Sequence, residues 1–139
     1  MKRIRAYYIY LQFTFILILL GSSCTKAPIN GRLDGQWEVI DIIIDNATIE
    51  KEQRYFYNFS LHVCALTYYG AGALFMDGNM SYDGETLTME FPYAESDTDM
   101  RRLSEFGILS NPVTFNVKFT DSHNLTLSNS ESIVVLKKH

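Results

Sequence analysis

From Leu33 to the C-terminus one pattern keeps returning: apolar residues at every second position for a handful of residues, then a cluster of Gly, Asn, Asp or Ser. A spacing of two sends alternate side chains to opposite faces of a strand, so each run reads as a strand with one buried face. Trp37 and Val39 alternate with Gln36 and Glu38, but Ile40, Ile42 and Ile44 follow on the opposite parity. One strand keeps both sets inside only through a bulge or sharp twist near Val39 and Ile40. Asp45-Asn46 then signals a turn. Residues 47–54 are polar and fit a helical turn or a loop.

Tyr57, Phe59, Leu61, Val63 and Ala65 alternate with Asn58, Ser60, His62 and Cys64, which predicts one long half-buried strand. Gly70-Ala71-Gly72 interrupts it as a turn or a corner of a curved sheet. Asp83-Gly84 fits a two-residue hairpin loop, and pairing outward from it sets Tyr82 by Glu85, Met80 by Leu87, Gly78 by Met89 and Met76 by Phe91. Asp77, Asn79, Ser81, Asp83 and Glu85 in the same stretch mimic a calcium loop. That reading fails at the sixth position, where Tyr82 replaces the required Gly, and at the twelfth, where Thr88 replaces a bidentate Glu.

After Pro92 the period changes. Ser96 and Asp97 can cap a short helix with Met100, Leu103 and Phe106 on one stripe, Gly107 can end it, and Asn111-Pro112 stops it from continuing. Arg101 and Arg102 fall on its wet side. A second use of the segment is a lid, with a basic rim over a cavity for an anionic ligand, which makes Met100, Leu103 and Phe106 candidate cavity or lid residues. Phe115 to Phe119, Leu125 to Leu127 and Ile133 to Leu136 add strands, separated by turn signals at 121–124 and 129–130. The fold expected is all-β: a small antiparallel up-and-down barrel of about seven or eight strands with one short helix, since closure removes exposed edges. Such a barrel has either a packed interior or room for one small ligand.

The N-terminus carries an address. Lys2, Arg3 and Arg5 precede a mostly apolar run from Ala6 to Leu20, followed by Gly21, Ser22, Ser23 and Cys24. The run is about fifteen residues, short of the roughly twenty that span a bilayer, and has the build of a signal peptide. Its end resembles the lipobox of bacterial lipoproteins. That resemblance implies cleavage before Cys24, acylation of Cys24 and a membrane anchor of several acyl chains, which makes attachment durable. A secretory peptide cut near Ser23, or an uncleaved anchor held by Tyr7, Tyr8 and Tyr10, are the other readings. The division is a signal peptide over 1–23, a lipidated cysteine and tether over 24–32, and a folded domain over 33–139. The residues after Cys24 lack the acidic run that looks like an export-to-surface signal in some bacterial lipoproteins, so the resemblance implies an outer-membrane anchor facing the periplasm.

Without residues 1–23 the chain keeps nine basic against sixteen acidic residues, a formal charge of −7. Nucleic acid is excluded as a partner, because its binding needs clustered Lys and Arg to neutralise phosphates. The remainder suffices for one domain. With Cys24 acylated, Cys64 has no partner; it reads as a small apolar strand residue or as a reactive thiol with His62 on the same face.

Gly35-x-Trp37 at the head of the first strand, with Lys137 and Lys138 in the last, resembles the lipocalin signature, and the short group of lipocalin-like bacterial lipoproteins fits best, from about Leu33 to Lys138. The resemblance implies that Gly35, Trp37 and Lys137 close one end of the barrel, with the indole as plug and a basic side chain over it. It also implies binding of a small apolar or amphipathic molecule, admitted at the opposite end. The longer family's Thr-Asp-Tyr-type motif is missing.

His62, His123 and His139 are not spaced for zinc, and neither a phosphate loop nor a Gly-x-Ser-x-Gly elbow occurs. The expectation is a non-enzymatic protein without cofactor or metal. The alternative role is an interaction or assembly module with a filled core, using tyrosines such as Tyr55, Tyr57, Tyr68 and Tyr69.

Overall fold

In the structure, a computed structural model, residues 28–69 and 75–139 are described. A single turn of 3-10 helix, Gly31–Leu33, leads into β1 (Gly35–Ile44), β2 (Ala47–Thr48), β3 (Arg54–Ser60), β4 (Val63–Tyr69), β5 (Phe75–Tyr82) and β6 (Thr86–Glu90). Helix α1 (Asp97–Ser104) follows, then β7 (Val113–Phe119), β8 (Asn124–Ser128) and β9 (Ser132–Lys138). Every pairing is antiparallel, and the order β1-β3-β4-β5-β6-β7-β8-β9 closes through β9 back onto β1. The result is the expected up-and-down barrel, with eight strands in the closed sheet and β2 as a short extra strand at its rim.

The parity switch in β1 is accommodated as its sequence requires. The β1–β9 register slips between Val39 and Asp41, so Trp37, Val39 and Ile42 are all buried while Ile40 faces out. Carbonyls turned from the ladder by a bulge need another donor, and the Lys51 ammonium supplies it to Val39 and Ile40. Asp45 and Asn46 both take positive φ, the geometry of a type I′ hairpin, which leads into β2.

Two expectations need correction. The long strand through residues 57–65 is two strands, β3 and β4, joined by a turn at Leu61-His62 in which Leu61 has φ 56°. Ser60 pairs with Val63 and Phe59 with Cys64. The turn reverses the inward parity, so Cys64 and Leu66 point in while Val63 points out. It carries none of the usual turn residues, and bonds from elsewhere hold it: the Asn30 Nδ2 donates to the Leu61 carbonyl at 2.8 Å and the Met80 N–H to the His62 carbonyl at 2.7 Å.

The second correction concerns the β5–β6 hairpin, whose pairs are Tyr82 with Leu87 and Met80 with Met89, two residues away from the register expected. The Asp83 carboxylate accepts the N–H groups of Glu85 at 2.9 Å and Thr86 at 2.7 Å, while the Asp83 N–H donates to the Thr86 carbonyl. This side-chain turn moves the reversal past Asp83-Gly84, with Gly84 at φ 104°. A shift of two leaves each residue on its original face, so Met80, Leu87 and Met89 are inside. Residues 70–72 lie outside the described residues.

Candidate functional site

A barrel can act at its two ends and in its interior. Trp37 sits at the end where β1 begins, without accessible surface, and its Nε1–H donates to the Leu33 carbonyl at 2.8 Å. The 3-10 turn thus folds under the barrel and the indole holds it there. Trp37 opposes Lys138 in the β1–β9 ladder, and the Lys138 ammonium lies 5.1 Å from the indole centroid. That ammonium also donates to the carbonyls of Arg32 at 3.2 Å and Asp34 at 3.0 Å. Gly35, at φ 126°, leaves the room: a β-carbon there would meet the Lys138 stem at 3.1 Å.

The residue over the indole is therefore Lys138, not Lys137. Lys137 opposes Glu38 and is exposed, as strand parity dictates for a neighbour of an inward residue. Lys138→Ala should destabilise by about 1 kcal/mol more than Lys137→Ala, which should be nearly neutral. Urea unfolding of the two variants checks it; equal midpoints would show that the cation over the indole contributes nothing.

The opposite end is covered by the segment between β6 and β7. Ser96 caps α1 as expected, through a reciprocal box with Asp99, while Asp97 is the first helical residue. Leu103 and Phe106 are buried in the core, and Met100 packs against it partly covered. The Phe106 ring lies 5.0 Å from that of Tyr55, 5.9 Å from Tyr57 and 6.4 Å from Tyr68. Three polar contacts, none anticipated, fasten the segment down. The Tyr57 hydroxyl donates to the Phe106 carbonyl at 2.6 Å and the Ser132 hydroxyl to the Gly107 carbonyl at 2.6 Å, while the Asn111 amide pairs with both backbone groups of Phe91 at 2.9 Å. Burial holds the Tyr57 proton on well beyond the ordinary phenol range. The available signal was parity, since Ser132 leads the inward set Ser132, Val134, Leu136.

Between the ends, Tyr57, Phe59, Leu87, Met89, Phe115, Leu125, Leu127, Val134 and Leu136 form one apolar cluster with almost no accessible surface. A side chain lining a water-sized cavity keeps surface facing it, so the barrel is filled at these residues. Tyr55 and Tyr57, expected as interface residues, belong to this interior; among the described residues Tyr69 and Tyr93 are the exposed tyrosines. Cys64 is fully buried, and burial pushes its thiol pKa upward, the reverse of an activated nucleophile. His62 stands in the preceding exposed turn, so the two do not share a strand face.

Outside the barrel, at the Trp37 end, an open groove of about 530 Å3 runs between Ile29–Arg32 and the Tyr82–Gly84 tip, with Phe119 as part of its lining. The Arg32 guanidinium lies 4.5 Å from the centre of the Phe119 ring and donates to the Asp121 carbonyl. Asp77, Asn79, Ser81, Asp83 and Glu85 lie exposed along the β5–β6 hairpin. Cys24 lies outside the described residues.

The fold matches a lipocalin-like protein from Bacteroides uniformis ATCC 8492 with a TM-score of 0.64 and 21% identity, over 78% of this chain and 100% of that one. An uncharacterized protein from Bacteroides eggerthii DSM 20697 matches with a TM-score of 0.59 and 13% identity, over 76% of this chain and 98% of that one. No curated protein matches the sequence. The profile of the lipocalin-like domain family matches residues 17–139, nearly the whole chain. With that span and this closed barrel, the chain belongs to the lipocalin-like domain family.

Proposed function

We propose that the protein is a non-enzymatic lipoprotein of the bacterial envelope, acylated at Cys24 and facing the periplasm from the outer membrane, whose barrel is a filled scaffold acting through its outer surface. The packing among the described residues carries this reading: Trp37, Tyr57, Leu87, Phe115, Val134 and Leu136 have almost no accessible surface, and Phe106 packs against Tyr55, Tyr57 and Tyr68 at the end opposite Trp37. A barrel so packed binds a partner on its rim or wall, as an interaction or assembly module does. The signal-like run, the small residues before Cys24 and the short tether support the anchor.

A second reading, binding of one small apolar or amphipathic molecule, is favoured by the groove at the Trp37 end, where Ile29, Tyr82 and Phe119 supply apolar surface beside Arg32. An apolar naphthylamine dye separates the two. The filled scaffold predicts no saturable gain in dye fluorescence, whereas a saturable gain abolished by Phe119→Ala would establish the groove as a ligand site. Mass spectrometry of the mature chain tests the anchor independently. An intact signal segment or an unmodified Cys24 thiol would rule it out.

A further inference from the structure

We propose that the tethered end of the barrel rests on the lipid surface, with Ile29, Leu61 and Val63 entering its interfacial layer; this rests on the acylated Cys24 of the reading above. The three side chains are 62%, 57% and 45% exposed. They lie at the same end of the barrel. Asn30, next to Ile29, donates from Nδ2 to the Leu61 carbonyl at 2.8 Å and to Asp34 at 2.6 Å, pinning the start of the domain against the β3–β4 turn. Val63 begins β4 immediately after that turn and points outward.

The fold does not ask for a leucine at the tip. Leu61 sits at φ 56°, a conformation that Asn, Asp or Gly adopts more readily, and its side chain is exposed. An apolar residue kept where backbone and solvent both disfavour it is accounted for by an apolar neighbour outside the chain.

The length of chain leading to Cys24 says which neighbour. From Cys24 to Pro28 there are four residue steps, at most about 14 Å fully extended. β1, with ten residues, extends roughly 33 Å toward the other end of the barrel. An acyl chain on Cys24 therefore brings the Trp37 end, with Ile29 and Leu61, to the bilayer and holds the α1 end away from it. The body's charge of −7 gives no attraction to anionic lipid, so the contact is apolar and is formed on a neutral lipid surface.

The test uses the lipidated full chain in phosphatidylcholine vesicles with brominated acyl chains, which quench nearby indoles. Leu61→Trp and Val63→Trp place reporters at the tethered end, and Tyr93→Trp places one at the far end, where Tyr93 is exposed. Trp37 contributes the same background to all three, being the one native tryptophan. Bromolipid should quench the reporters at 61 and 63 at least about twice as strongly as that at 93, because interfacial groups sit about 5–10 Å deep. Flotation with the vesicles reports the anchor separately. Protein that floats while all three reporters are quenched alike overturns the docked orientation and leaves the anchor intact. Protein that fails to float overturns both.

Discussion

Trp37→Ala should bring the domain close to unfolding, lowering its stability by about 5 kcal/mol. Emptying a buried aromatic site costs about 3 to 5 kcal/mol, and Trp37 has no accessible surface to soften that loss. Truncation also removes the donor to the Leu33 carbonyl, and Leu33 is itself buried. A stranded acceptor adds about 1 to 3 kcal/mol, less whatever water enters the new space. Lys138 then loses the ring beneath its ammonium and Phe119 a ring neighbour at 6.1 Å. Total stabilities of about 5 to 15 kcal/mol leave little after such a change. Trp37→Phe separates the contributions: it keeps most of the apolar area and loses the N–H, so about 1 to 3 kcal/mol is expected. Urea unfolding followed by far-ultraviolet circular dichroism measures both variants. A Trp37→Ala midpoint near that of the parent would mean the indole neither plugs the barrel nor holds the 3-10 turn.

The elements predicted well were those whose information is local. The bulge in β1 follows from two apolar sets of opposite parity on either side of Val39 and Ile40, which no straight strand can bury together. Helix α1 follows from Ser96, Asp97 and the spacing of Met100, Leu103 and Phe106, all within one segment. The turn at Leu61-His62 escaped because its dipeptide has no turn chemistry, and the groups that stabilise it, Asn30 and Met80, lie far away in sequence. Alternation then carried straight through the corner, since a two-residue turn leaves the apolar count unbroken. The β5–β6 register slipped because an Asp at the corner offers its side chain to the loop N–H groups, a choice that a dipeptide preference does not record. Lys138 rather than Lys137 over the indole is a matter of parity, set by which β9 residue opposes Trp37. Legibility of the site was lower than that of the fold. Whether a barrel is filled depends on how side chains from all eight strands meet, and Phe106 reaching Tyr55, Tyr57 and Tyr68 joins residues some forty to fifty positions apart.

Leu103→Ala decides what the α1 segment does. A lid residue contributes to affinity and little to folding, because a lid opens without disturbing the barrel beneath it. Leu103 is instead buried in the same cluster as Leu87, Phe115 and Val134, and the backbone just after it, at Phe106 and Gly107, is fastened to barrel residues. Removing its isobutyl group should therefore cost about 2 to 5 kcal/mol, the range for buried leucines. With a urea dependence of about 1 to 3 kcal/mol per molar, the midpoint should fall by about 1 M or more. Tyr57→Phe is the companion variant: it preserves the ring and removes the hydroxyl bonded to the Phe106 carbonyl. A cost of about 1 to 3 kcal/mol is expected, because the bond is buried and the carbonyl is left without its donor. Unchanged midpoints in both variants would make the segment separable from the barrel and restore the lid, with the interior beneath it as the place to look for a ligand. A loss in both means that the end opposite Trp37 is core. A ligand or partner must then meet the protein on its wall, at its rim, or in the groove beside Arg32.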